Sequence, residues 1–154
     1  MRMPDMSTPS DQPLVFLTNR VGRLLANTIR RQLPADKREV PTQYMGVLAD
    51  LWQKDGVRQQ DLAISSIKDK ATITRILRYL EERNIVVRVC DESDRRNKRI
   101  YLTHKGKQLK SSLLPYAQSV VDRATRDIPA QDMQTCYRVL DKIYQTLQQL
   151  QTQP

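Results

Sequence analysis

Residues 91–106 read DESDRRNKRIYLTHKG, and within them Arg95, Arg96, Lys98 and Arg99 crowd a stretch where a plain turn would need no charge. The chemistry such a cluster offers is attraction to a polyanion. The whole chain shares the bias: 26 Lys plus Arg stand against 17 Asp plus Glu, a formal net charge of +9 over 154 residues. A balance of this kind favours nucleic acid or an anionic membrane surface as a partner. Catalytic signatures are missing from the sequence: there is no G-x-S-x-G, no phosphate-binding loop, no H-E-x-x-H and no paired-cysteine metal motif. Two cysteines and one histidine cannot build a disulfide framework or a four-ligand zinc site within one chain. No enzyme activity, metal or cofactor is therefore expected, and the cysteine count fits a cytoplasmic protein.

The elements that must position this charge follow from periodicity. Residues 1–12 are polar and Pro-containing, expected as a disordered arm without the apolar core of a signal peptide. No stretch approaches the ~18 apolar residues of a membrane span. Leu14, Leu17, Val21, Leu24, Leu25 and Thr28 form one stripe of a first helix. Pro41 opens a second, with Tyr44, Val47, Leu48 and Leu51 on one side and Gly56 as its stop. The short helix RQQDLAISS follows, with Leu62 and Ala63 inward.

In KDKATITRILRYLEERN, Asp69 is an N-cap and Ile73, Ile76, Leu77 and Leu80 recur at i, i+3, i+4, i+7. At 100° per residue, Ala71, Thr74, Arg75, Arg78 and Glu82 lie away from that stripe, and Lys70 flanks the same surface. One side of this helix belongs in a core and the other is basic. IVVRVC and KRIYLT are β-prone runs with the charged tip between them.

Thr103 caps a long helix carrying Leu109, Leu113, Ala117, Val120, Val121 and Ala124 inward, and Pro115 should kink or break it. In the last helix Met133, Cys136, Leu140, Ile143, Leu147 and Leu150 approach a heptad seam, which suggests packing against other helices, some of them in a second copy. The fold class is mainly α with a small β-hairpin wing. A short helix turned into a basic one, then a hairpin, is a winged helix-turn-helix.

QQDLA, IKDKATITRILRYLEERNIVVR and SDRRNKRIYLTHKG together resemble the winged helix-turn-helix regulators of the multiple-antibiotic-resistance regulator (MarR) family. The likeness runs from Leu14 to Leu150 in element order and is sharpest over residues 59–106. Its most specific part is Asp94, Arg95, Arg96, Ile100, Leu102, Thr103 and Gly106. The resemblance implies a single domain over 13–152, with dimerisation helices at 14–40 and 104–150 around a DNA-binding region at 41–103. It implies a homodimer on roughly palindromic double-stranded DNA, usually a repressor, released when a small aromatic or lipophilic effector enters a cleft. Two positions depart from the family: Arg58 stands where many relatives cap the short helix with Ser or Thr, and Ser66 where the turn commonly has Gly. A positive φ at Ser66 would carry strain.

By the same resemblance Arg96 enters the DNA minor groove, whose negative potential attracts a guanidinium. Arg95 and Asp94 are expected to orient the tip or touch phosphate, Asp94 by pairing with a neighbouring guanidinium. The helix-turn-helix context assigns Lys70, Thr74, Arg75 and Arg78 to the major groove, where arginine bridges guanine O6 and N7 and threonine meets a thymine methyl or a phosphate. Arg88, Lys98 and Arg99 are expected at phosphate. Cys136 on its apolar stripe reads as a small buried hydrophobe. Cys90 beside Arg88 is a candidate redox residue, although a plain thiol is the commoner case. The competing class is a winged-helix docking module without specific DNA binding. Aromatic residues such as Phe16, Tyr44, Trp52 and Tyr116 are compatible with an effector cleft but more often form core.

Overall fold

Ile73, Ile76, Leu77 and Leu80, the apolar positions of the basic helix, are each 1% exposed or less, and the rest of the core gathers round them. In this computed structural model, which describes residues 13–152, the elements are α1 (Leu14–Gln32), α2 (Met45–Gln53), β1 (Val57–Arg58), α3 (Gln59–Ser65), α4 (Lys70–Glu82), β2 (Val86–Cys90), β3 (Lys98–Leu102), α5 (His104–Ala124) and α6 (Ala130–Thr152). The expected arm at 1–12 lies outside the described residues. Among those described, no helix is long and apolar enough to cross a membrane.

Val47, Leu48 and Leu51 of α2, Leu62 of α3, and Ile85, Val86 and Ile100 close the core over α4. Burial of each such side chain is worth ~1.5–3 kcal/mol. The second helix starts later than its Pro41 signal suggested: a 3₁₀ turn at Thr42–Tyr44 intervenes, with the Tyr44 N–H donating to the Pro41 carbonyl at 2.9 Å. The hairpin is two strands of a three-stranded antiparallel sheet, order β1-β3-β2, and β1 carries no periodic signal in only two residues. Val86 pairs with Leu102 and Arg88 with Ile100, so these side chains share the face toward α4; Val87, Val89, Arg99 and Tyr101 take the other.

Thr103 caps α5 as expected, accepting from the Gly106 N–H at 3.1 Å. A Cβ at Gly106 would stand 2.2 Å from the Ile85 carbonyl oxygen, so only glycine lets α5 start this close to the sheet. The helix runs unbroken through Pro115. Leu113 and Val120 are buried, Leu109, Ala117 and Val121 half-buried, and Ala124, expected inward, is exposed. Neither α1 nor α6 has a fully buried side chain. Leu14, Leu17, Val21 and Leu24 on α1 and Leu140, Leu147 and Leu150 on α6 are all exposed. Cys136 is exposed too, against the expectation of burial. The apolar stripes predicted from the sequence are present, but one chain alone does not cover them.

The turn between α3 and α4 settles the condition attached to Ser66. Ser66 has φ −82°, and the left-handed residue is Ile67, at φ 54°. The hydrogen bonds explain why. Ile67 N–H donates to the Ile64 carbonyl at 3.1 Å and Lys68 N–H to the Ala63 carbonyl at 3.0 Å, a Schellman closure that requires the residue after the C-cap to be left-handed. The same closure ends α4, where Asn84 takes φ 56° at little expense because asparagine tolerates that region. A β-branched side chain does not. Ile67 is 72% exposed, so it gains almost nothing from burial in return. Ile67→Asn is therefore expected to stabilise the fold by about 1 kcal/mol, raising Tm by roughly 2–4 °C in thermal and urea melts.

Candidate nucleic-acid interface

The basic helix is fixed at its start by Asp69, whose two carboxylate oxygens accept from the Thr72 N–H at 2.7 Å and the Thr72 hydroxyl at 2.8 Å. The Thr72 backbone bond, aided by the hydroxyl, holds the Asp69 carboxyl below its ordinary value. Burying Ile73, Ile76, Leu77 and Leu80 then turns Lys70, Arg75 and Arg78 outward, and all three are exposed. Thr74 is half-buried: its hydroxyl donates to the Lys70 carbonyl at 2.8 Å and accepts from Gln59 Nε2 at 3.1 Å, so its methyl is the part left to meet a ligand.

Across from this helix the hairpin tip is ordered by Asp94. Its Oδ1 accepts from the Arg96 N–H and its Oδ2 from Asn97 Nδ2, both at 3.0 Å, while its carbonyl accepts from the Asn97 N–H at 2.9 Å. Asp94 thus shapes the turn through amide bonds, not through the guanidinium pairing expected for it. Arg95, Arg96 and Lys98 stay exposed, and among the described residues none of them, nor Lys70, Arg75 or Arg78, forms a salt bridge. Gln59, Gln60, Lys70, Thr74, Arg96 and Lys98 line a groove of about 530 Å³ between the helix pair and the hairpin.

Two cations expected at phosphate are each paired with a carboxylate, and Arg88 also lines the groove. The strand register turns Arg88 toward α4, where it donates to Glu81 Oε2 at 2.6 and 3.1 Å and draws the Glu81 carboxyl below its ordinary range. Arg99 points to the opposite face, away from the groove, donating to Asp91 Oδ2 at 3.0 Å and to the Gly56 carbonyl at 2.9 Å. Arg58 occupies the N-cap position of α3 without capping it; its Nε reaches Asp91 Oδ2 at 3.3 Å. Cys90 is exposed at the end of β2.

Sequence reading missed Asp91, which is 5% exposed and accepts Arg58, Arg99, the Ser93 hydroxyl at 2.8 Å and the Ser93 N–H at 3.1 Å. It also missed Glu81 and Gln59. One acid in a charged run carries no mark of burial, and only the strand pairing Arg58↔Arg99 reveals what it holds.

A separate cavity of about 340 Å³ lies between α1, α2 and α5, lined by apolar side chains including Ile29, Leu33, Met45, Leu109 and Leu113, with Arg30, Lys37 and Lys110 among them. Of the four aromatic residues considered for a cleft, only Trp52 lines it, its Nε1–H donating to the Gly106 carbonyl at 3.0 Å. Tyr44 instead meets the Tyr79 ring edge-on, centroids 5.1 Å apart.

Helix, turn, unpaired basic helix and braced hairpin define a winged helix-turn-helix protein. The MarR family model matches residues 41–98, which run from the 3₁₀ turn before α2 to the first residue of β3. A MarR-family transcriptional regulator from Silicibacter pomeroyi superposes with a TM-score of 0.70 at 28% identity, covering 84% of this chain and 86% of its own. The transcriptional regulator HosA of Escherichia coli O157:H7 is 25% identical over 100 residues, 65% of this chain and 74% of HosA. A structure of Bordetella bronchiseptica BpsR, described as a mechanism for regulation of its DNA binding by 6-hydroxynicotinic acid, superposes at TM-score 0.70 with 19% identity, over 86% and 98% of the two chains. Over residues 41–98 the chain thus carries a MarR-type region, and along most of its length it is similar to MarR-family transcriptional regulators.

The acid chemistry of the hairpin is measurable. Hydrogen bonds from the Ser93 hydroxyl and N–H, then the Arg99 and Arg58 charges, lower the Asp91 carboxyl from 3.8 to about 2. A lowered folded-state value contributes stability that is fully present above the unfolded value and is lost as pH falls through the folded one. The Tm difference between wild type and Asp91→Asn is thus expected to be constant above about pH 4 and to close as pH approaches about 2, read by thermal melts across that range.

Proposed function

We propose that the chain acts as a homodimeric, sequence-specific repressor on double-stranded DNA, with α4 in the major groove and the hairpin tip in the adjacent minor groove. The observation that carries this reading is the set of unpaired exposed cations on one side of the molecule, Lys70, Arg75 and Arg78 on α4 and Arg95, Arg96 and Lys98 on the tip. Arg75 and Arg78 are assigned to base edges, Lys70 and Lys98 to phosphate, Thr74 to a thymine methyl, and Arg96 to the minor groove with Arg95 beside it. Arg88 and Arg99, already bonded to Glu81 and Asp91, act as braces within this reading instead of phosphate clamps. A working protein of this kind belongs in the cytoplasm, with the DNA.

The dimer is assigned to helices within 14–40 and 104–150, leaving 41–103 as the DNA-binding region of a single domain. Uncovered Leu17, Val21 and Leu24 on α1, with Leu140, Leu147 and Leu150 on α6, are the apolar area such an interface would bury. Two α4 helices in a dimer would meet successive major grooves about 34 Å apart. Release is assigned to a small aromatic or lipophilic molecule in the 340 Å³ cavity, a volume within the usual ~300–1,000 Å³ range of ligand sites. The control of BpsR by 6-hydroxynicotinic acid supports that reading by analogy. Release by oxidation of Cys90 has only that residue's exposure behind it.

Fluorescence anisotropy on the duplex upstream of the gene, against a scrambled duplex and across a salt series, tests the reading. Tight, salt-dependent preference for the upstream duplex is expected; equal weak binding to both would favour a docking module. Arg96→Ala should weaken binding and lower the log–log salt slope by about 0.9 if its charge neutralises backbone in the groove. Leu140→Glu with Leu147→Glu should leave the helical circular dichroism intact while shifting sedimentation from dimer to monomer. A wild-type chain that sediments as a monomer at working concentration would remove the dimer.

A further inference from the structure

We propose that Asp91 is a positioning residue for DNA binding: it holds the hairpin neck against the start of the helix-turn-helix, so that Arg96 is presented at a fixed distance and angle from α4. The inference rests on the reading that the hairpin tip engages DNA. Among the described residues Asp91 is the one charged side chain that is buried. Its contacts reach three separate parts of the site. Oδ2 takes Arg58, the N-cap residue of α3, and Arg99, on the middle strand. Oδ1 takes both Ser93 donors, and the Asp91 N–H donates to the Asn97 carbonyl at 2.9 Å, which closes the tip at its base.

Arg58 and Arg99 are direct cross-strand partners, and like charges placed opposite one another destabilise a sheet pair. Asp91 turns that repulsion into a clamp, two guanidinium groups drawn onto one carboxylate oxygen. Remove its charge and the two arginines repel at the neck of the hairpin. The Glu81–Arg88 pair still braces the other face of the sheet, so the strands persist while the tip loses its register with α3.

The sign of the effect separates positioning from simple charge. Asp91 is a negative group beside a surface meant for a polyanion. By net charge alone, Asp91→Asn takes the chain from +9 to +10 and should tighten DNA binding. Positioning demands the reverse.

The test is anisotropy on the upstream duplex with wild type, Asp91→Asn, Arg96→Ala and the double variant, each shown folded by circular dichroism. Asp91→Asn is expected to bind about tenfold more weakly, with part of the Arg96 contribution to the salt slope gone. The double variant should bind no more weakly than Arg96→Ala alone, since Asp91 acts through Arg96. Tighter binding by Asp91→Asn, or additive losses in the double variant, would overturn the proposal. If Arg96→Ala itself binds like wild type, the tip reading fails first and the proposal falls with it. Should Asp91→Asn fail to fold, Ser93→Ala removes the hydroxyl donor to Oδ1 while leaving the backbone N–H and the charge; a smaller loss of affinity upholds the proposal and an unchanged affinity overturns it.

Discussion

Burial of Ile73, Ile76, Leu77 and Leu80 fixes the rotation of α4 about its own axis, and that rotation decides which side chains a partner can meet. A helix turns 100° per residue, so slipping the buried stripe by one position would carry Arg75 and Arg78 toward the core, where an unpaired guanidinium cannot stay. The apolar contacts are not specific in their chemistry, yet they are what makes the charged face specific in its geometry. Leu48 and Leu51 from α2, Leu62 from α3 and Ile100 from β3 all pack into the same core, so the helix pair and the hairpin share one foundation.

On that foundation the charges divide into two populations. Acidic side chains near the site are engaged in local structure. Asp50 Oδ2 accepts from the hydroxyls of Ser65 and Ser66, both at 2.8 Å, and steadies the turn. Asp69 caps α4, Glu81 and Asp91 hold arginines, and Asp94 shapes the tip. Carboxylates drawn into such bonds do not stray over the surface to neutralise lysines and arginines. Among the described residues the exposed cations of α4 and of the tip form no salt bridge, which is a property of the arrangement more than of the composition.

Much of this was legible in the sequence because it is written in periods and caps. The i, i+3, i+4, i+7 stripe of α4, the Asp69 and Thr103 caps, and two β-branched runs around a charged turn all require only neighbours along the chain. What escaped depends on partners far away in sequence. The β1 strand is two residues long and exists only because β3 lies beside it, so Arg58 read as a poor cap instead of as one jaw of a clamp. Arg88 and Arg99 looked alike until the register put them on opposite faces. The left-handed residue of the turn is Ile67, one beyond the Ser66 whose φ the sequence left open, because Schellman geometry counts from the last helical turn, and helix ends are hard to locate to one residue. On α1 and α6 the stripes were visible, but exposure at Leu24 or Leu147 cannot be read from a pattern.

The junction between β3 and α5 has a mechanical consequence. Thr103 is the only residue between them; its N–H donates to the Ile85 carbonyl, its hydroxyl to the Asn84 carbonyl at 2.6 Å, and Gly106 lets the helix backbone lie directly on that strand. Trp52 bolts the same turn to α2. There is no slack in which a rotation could be absorbed. At 1.5 Å per residue α5 is about 31 Å long, so a 5° tilt about its first turn sweeps its far end through about 3 Å. Read in the other direction, a small displacement at the far end of that shaft arrives at the hairpin as a change of angle, and the same joint that stiffens the fold makes the long helix a lever on it.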